Sequence, residues 1–358
     1  MRVAGSLWGL RSQDIGAWLE IEICDLKFLK AMRPWSRRCG MRKKIAGILA
    51  TGLIGFLSFH SLALAAFFDV RIEEGERKTS AGDTVAYELF LPTPREDLPP
   101  PPWPAVVLTH GFGRDYRYHA KNARYMARRG IAVLTPNMTR LTLGRPAQVR
   151  NIVNTVDHIV WLQGRAMSDH DPLKGSIDRN RIGLAGHSAG GAVSFEAAIL
   201  SQERDIPVAG LCLLDGAPWD RTLNRAPRLR WLPFASLRSE ASVCNFHGKV
   251  VSLLNRLRFP TEDIQIMEGT HCDAENPSNA ACWFLCGGKD GDGQHLYQQL
   301  MYLFFQDALG VHRLEENPET YSEVLKSLAA RGTITRRPGT QERMELPLAP
   351  TPLDINRN

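Results

Sequence analysis

In the segment Arg181-Ile-Gly-Leu-Ala-Gly186-His187-Ser188-Ala189-Gly190-Gly191 an apolar run passes through G-x-S-x-G into small residues. If a strand turns here directly into a helix, the residues two positions either side of the serine must lack a Cβ, and the serine hydroxyl is held out at the sheet edge. The helix that follows aims its N-terminus at the reacting centre. The Ala189 N–H would then meet the negative charge that develops on a carbonyl oxygen under attack. The chemistry such a serine could do is nucleophilic attack on an acyl group. A second turn, His110-Gly111-Phe112-Gly113, follows the apolar run Val106-Val107-Leu108-Thr109. It offers the Phe112 N–H as the other donor of an oxyanion hole.

A serine hydroxyl is a weak nucleophile and needs a base, which in this chain order should come last, after the final parallel strand. His271 stands there, in Glu268-Gly269-Thr270-His271-Cys272-Asp273 just beyond Ile264–Met267, with His247 and His295 as rivals. Two carboxylates end apolar runs between Ser188 and His271: Asp215 after Leu211–Leu214, and Glu240 after Leu232–Leu237. Asp215 is the favoured partner for the histidine and Glu240 the alternative. Arg238, near Glu240, offers that glutamate a surface ion pair as its ordinary role. His187, beside the serine, is a candidate for contact with substrate. Neither a metal nor an organic cofactor is required by this chemistry.

These residues need a scaffold, and from Ala105 onward short apolar runs alternate with helical stretches, the pattern of βαβ units in a mostly parallel sheet. Strands are predicted at Ala105–Thr109, Ile131–Thr135, Arg181–Ala185, Val208–Leu214, Leu232–Leu237 and Ile264–Met267. Helices are predicted at Tyr118–Arg129, Ala147–Arg165, Gly190–Ser201 and His295–Leu309. Upstream, Val70–Glu74 and Thr84–Leu91 alternate around Gly82-Asp83 as an edge hairpin does. The catalytic domain is expected to span residues 66–312. The remainder, 313–358, reads as a tail of uncertain order with one candidate helix at Glu319–Arg331. The short connection between the strands ending at Leu214 and Leu237 leaves no room for a cap domain, so an open, shallow site is expected.

The net charge of +6 is local, because residues 1–65 carry ten Lys/Arg against four Asp/Glu and leave thirty-four of each sign in the rest of the chain. The basic balance therefore gives no reason to expect a nucleic-acid partner. Met41-Arg42-Lys43-Lys44, the apolar run Ile45–Leu62 and Ala63-Leu64-Ala65 have the layout of a secretory leader cleaved after Ala65. On that reading residues 1–40 precede the true start, and the mature protein is secreted or periplasmic with no stable membrane span. An uncleaved anchor at 45–65 is the alternative. Of the seven cysteines, Cys212 falls in a strand and is expected as a buried thiol. Cys244, Cys272, Cys282 and Cys286 can form two disulfides in an oxidising compartment, in any of three pairings. They lack the paired C-x-x-C spacing of a zinc site.

Across about residues 84–310 the chain resembles the α/β-hydrolase superfamily, in particular the lid-poor branch of dienelactone-hydrolase-like enzymes, cutinase-like polyester hydrolases, chlorophyllases and platelet-activating-factor acetylhydrolases. Like the polyester hydrolases it has an H-G-[aromatic] turn at His110-Gly111-Phe112, the serine turn, and Ala217-Pro218-Trp219-Asp220. The resemblance implies that Phe112 and Trp219 flank a bound ester. Like the acetylhydrolases and chlorophyllases it ends a strand with Leu214-Asp215-Gly216, and Ser239-Glu240 is similar to the former. It departs from the polyester hydrolases at Ser242, where they have an aspartate. The activity implied is hydrolysis of carboxylic esters, bulky or lipid-like ones included, through an acyl-enzyme.

Overall fold

Short runs of Val, Ile, Leu and Ala, too short for helices and buried on both faces, become the centre of a nine-stranded sheet. The computed structural model of the protein describes residues 67–138, 145–287, 292–314 and 319–338. The expected leader and the segment before it lie outside the described residues, as does the tail beyond 338. The parallel strands are β3 (Trp103–Thr109), β4 (Ala132–Pro136), β5 (Ile177–His187), β6 (Gly210–Leu214), β7 (Phe234–Arg238) and β8 (Glu262–Ile266). The hairpin β1 (Val70–Lys78) and β2 (Thr84–Pro92) adds antiparallel to β4, and β9 (Ile334–Pro338) adds antiparallel to β8, in the order β1-β2-β4-β3-β5-β6-β7-β8-β9.

Alternate residues of each strand supply two apolar layers. Ala105 and Val107 of β3 join Ile159 of α2 (Arg145–Met167) and Phe195 of α3 (Ala189–Glu203) on one face. Val106 and Leu108 join Met126 of α1 (Ala120–Ala127) and Phe305 of α7 (Asp292–Ala308) on the other. Between β6 and β7 lies α4 (Asp220–Arg225), between β7 and β8 α5 (Val250–Leu254), and after β8 α6 (Ala280–Cys286). With helices on both faces of a mostly parallel sheet, this is the α/β-hydrolase architecture expected from the sequence. Among the described residues no helix is long and apolar enough to cross a membrane.

The structure departs from the sequence reading mainly at the periphery. Strand β1 runs to Lys78 rather than Glu74, and β5 begins at Ile177 rather than Arg181. The polar residues that hid these extensions sit where the strands leave the covered centre. Helices α4, α5 and α6 are five to seven residues long, too short to show a period. Past His312, α8 (Tyr321–Ala330) starts on a Thr320–Glu323 capping box and buries Tyr321, Val324, Leu325 and Leu328. It delivers β9 to the sheet edge, where Ile334 is buried and Arg336 pairs with Glu262.

Candidate active site

Chain order reverses at β3, which lies between β4 and β5, and this opens the crevice where ligands bind in open α/β sheets. Register brings the strand ends level: Thr109 pairs beside Gly186, His187 beside Leu214, and Leu214 beside Leu237. The residues that follow those ends, His110–Phe112, Ser188, Asp215 and Ser239, are therefore neighbours in space.

Ser188 has φ 55° and ψ −121°, a strained backbone for a residue with a side chain. The glycines around it are required by contact. A Cβ on Gly186 would come 2.4 Å from the Gly190 carbonyl oxygen, and one on Gly190 would come 2.4 Å from that of His110. The turn is fastened from below by the Ser188 N–H to Leu214 O (3.1 Å) and by the Ala217 N–H to Ser188 O (3.0 Å). Thr109 Oγ1 donates to Gly190 O at 2.9 Å. Ala189 opens α3 and lines the cavity beside Ser188, and its N–H, the first of the helix, has no acceptor within it.

The opposite turn is set by His110, buried behind it. Its Nε2 meets the Met138 N–H and the Asn137 side-chain amide, and its Nδ1 meets Gly111 O, all at 2.9 Å; accepting from Met138 corresponds to the Nδ1–H tautomer. Burial pushes this histidine's pKa down, which keeps that tautomer neutral. The peptide carrying the Phe112 N–H is thus anchored from its own strand end, and the Phe112 ring is exposed at the cavity mouth.

His271 lies at the start of a 3-10 turn, His271–Ala274, that begins on a Thr270–Asp273 capping box. Its Nδ1 donates to Asp215 Oδ2 at 2.5 Å, which leaves Nε2 free of a proton and able to act as a base. Asp215 has φ 43°, turning its carboxylate off the sheet edge toward the histidine. Burial opposes its charge, but hydrogen bonds from His271 and from the N–H (2.8 Å) and hydroxyl (2.9 Å) of Ser239 outweigh it and hold the pKa below the usual range. Glu240 is exposed and meets this cluster only through its carbonyl oxygen, an acceptor for Asn245 Nδ2 at 2.8 Å. Arg238 is not its surface partner: it is buried against Asp263 and Gln265, each at 2.8 Å. His247 and His295 are exposed outside the cluster.

Sequence reasoning missed Asn245. Its Oδ1 accepts from the N–H groups of Ser242 and Gly248, both at 2.9 Å, which fixes the amide so that Nδ2 faces Asp215 Oδ2 at 3.2 Å. Ser242, where polyester hydrolases carry an aspartate, here caps the 3-10 turn Val243–Asn245 that delivers this amide. The serine cap three residues before an asparagine was the available signal.

One wall of the cavity is stapled. Cys244 is bonded to Cys286 and Cys272 to Cys282, which selects one of the three open pairings, while Cys212 is a buried free thiol. Sulfurs of Cys272, Cys282 and Cys286 lie within 4.8 Å of one another, and all three are committed to these bridges. Together with Ser188, His271, Phe112 and Trp219, the strapped residues Val243, Phe246 and Leu285 enclose a cavity of about 550 Å³. Between β6 and β7 lie only α4 and a short 3-10 turn, with no cap domain. His187 reaches the cavity yet is 1 % exposed, with Nε2 donating to the His271 carbonyl oxygen at 3.0 Å.

The model of the alpha/beta hydrolase family matches residues 106–320, a span that runs from β3 to the start of α8 and holds every residue of this cluster. No curated protein matches the chain.

Proposed function

The chain belongs to the alpha/beta hydrolase family, and from that premise we propose that it is an exported serine esterase in which Ser188, His271 and Asp215 form the catalytic triad. The observation that carries this reading is a strained serine and a histidine lining one cavity, with that histidine hydrogen-bonded to a buried carboxylate. His271, held in the Nδ1–H tautomer by Asp215, takes the proton of Ser188 as the oxygen attacks the ester carbonyl. The N–H groups of Phe112 and Ala189 receive the negative oxygen of the tetrahedral intermediate. His271 then protonates the departing alcohol, and water activated by the same histidine releases the acid from the acyl-enzyme.

Esters with sizeable apolar parts, lipid-like ones among them, suit the apolar residues at the cavity mouth: Phe112, Val243, Phe246 and Leu285. Two disulfides favour the oxidising compartment to which the Met41–Ala65 leader would send the chain. The test is hydrolysis of p-nitrophenyl esters of increasing acyl length by the 66–358 protein, alongside matched anilides and thioesters. Turnover favouring esters, with fluorophosphonate labelling on Ser188, is the expected result. Faster cleavage of the amide or thioester series would reassign the bond.

A further inference from the structure

The cavity that Ser188 lines is also lined by a charged group that the triad does not use. Glu275 follows the His271 turn, and its side chain is 1 % exposed. Its Oε1 accepts from Arg114 Nε at 2.7 Å and lies 3.4 Å from His187 Nδ1, while its Oε2 accepts from the Ser278 hydroxyl at 3.1 Å. Arg114 comes from the oxyanion turn and His187 from the nucleophile turn, so three loops far apart in sequence meet on one carboxylate. His187 also spans the base turn from the other end, through its Nε2–H on the His271 carbonyl, and its ring lies 4.6 Å from that of His271. A carboxylate this deeply buried is strongly disfavoured without a charged partner, and Arg114 is that partner.

We propose that Glu275 is a positioning residue for the reaction: its carboxylate, bonded to Arg114 and packed against the His187 ring, holds the oxyanion turn, the nucleophile turn and the base loop in one register. The inference rests on the triad reading above. Nδ1 of His187 has no hydrogen-bond partner, so its ring packs against the carboxylate rather than bonding to it, and Arg114 supplies the compensating charge. His187 stays neutral because burial and the neighbouring His271 both oppose a second proton. The groups facing this clasp are Arg114, His110 and His119 from the β3 side, His187 from β5, and Asp215 across His271.

The experiment is kcat and KM for the wild type, Glu275→Gln, Arg114→Gln and Arg114→Lys on a soluble ester, normalised to active sites titrated with a fluorophosphonate. Glu275→Gln keeps the shape and loses the negative charge. Its kcat is expected to fall about tenfold to a hundredfold with KM within about twofold, as for a small misplacement of reacting groups. Arg114→Gln should show the same split, and Arg114→Lys, which keeps a cation on the carboxylate, should recover most of the loss. A purely structural contact would lower the number of titrated active sites and leave kcat per site unchanged. Should Glu275→Gln fail to fold, the two Arg114 variants decide alone. An unchanged kcat per active site in Arg114→Gln, or in both Gln variants, overturns this inference while Ser188→Ala remains inactive. Turnover retained by Ser188→Ala would instead overturn the reading beneath it.

Discussion

The two sides of the cavity are held by different physics. On the sheet side, Ser188, Asp215 and the Gly111 turn follow β5, β6 and β3, and their places are dictated by register, apolar layers and glycine contacts with no tolerance for a methyl group. On the strapped side, α6 is seven residues long and presents Phe284 at 90 % exposure. A helix that short is not stable by itself in water. It is kept in place by Cys244–Cys286 and Cys272–Cys282, by caps, and by the buried Glu275. His271 belongs to both: its acid partner stands on the sheet, whereas its backbone is tied to the strap through Cys272. The sheet side therefore fixes the proposed nucleophile without covalent help, and the strapped side fixes the proposed base and the mouth with it.

The largest expected effects test the sheet side. Ser188→Ala should lower kcat on the order of a millionfold, as loss of a triad serine does in a serine protease, while the folded state persists because the strained turn loses an Oγ and no packing atom. A kcat reduced less than tenfold would dissolve the distinction, since the nucleophile would lie elsewhere. Asp215→Asn should cost about ten-thousandfold, because an amide cannot hold the Nδ1–H tautomer or balance the imidazolium. Steady-state kinetics on a soluble ester measures both.

The strapped side should respond in stability and local order first. The Cys244–Cys286 bridge closes a 42-residue separation and Cys272–Cys282 one of 10. By loop entropy the first is worth about 4 kcal/mol and the second about 3 kcal/mol. In Cys244→Ser/Cys286→Ser, hydrogen exchange should lose protection in α6 and in the His271 turn while β5 and β6 keep theirs. Uniform loss over the sheet would abolish the contrast. Acid should reveal the same side through Glu275. Burial opposes its charge, yet its buried neighbours, with the Arg114 guanidinium as the cation among them, bring its pKa from 4.5 to about 2. A depressed carboxylate contributes stability that is fully present above about pH 4.5 and is lost as pH falls toward about 2. Thermal melts of the wild type should steepen their decline across that window, and those of Glu275→Gln should be flatter there.

How much of this was legible in sequence follows the same division. Gly186, Ser188, Gly190 and the His110-Gly111 turn could be read because their constraint is local: a strand end, a missing Cβ, a helix start. Residue Asp215 could be favoured over Glu240 from its strand end and the following glycine. Asn245 and Glu275 could not, because what gives them a role is a partner 30 residues away in Asp215 and 161 away in Arg114. Strand β9 was hidden for another reason: an edge strand with one buried residue, Ile334, carries no alternation to detect.

The smallest expected effect is also the sharpest comparison of the two candidate acids. Both follow strand ends, both lie between Ser188 and His271 in the chain, and in sequence Glu240 differs mainly by one methylene and a nearby arginine. In the folded protein that arginine is spent on Asp263 and Gln265, and the Glu240 side chain is exposed, while its carbonyl oxygen accepts from Asn245. What Glu240 gives the acid cluster is thus a backbone atom that no side-chain substitution removes. Its carboxylate can act on His271 only across solvent-exposed space, where a neighbouring charge is worth no more than about 1 kcal/mol. Glu240→Gln should therefore keep at least about a tenth of wild-type kcat, and adding salt should narrow the remaining gap, since exposed charges are screened. A loss matching that of Asp215→Asn, insensitive to salt, would mean that the carboxylate turns inward during turnover, and the acid would have to be moved to β7.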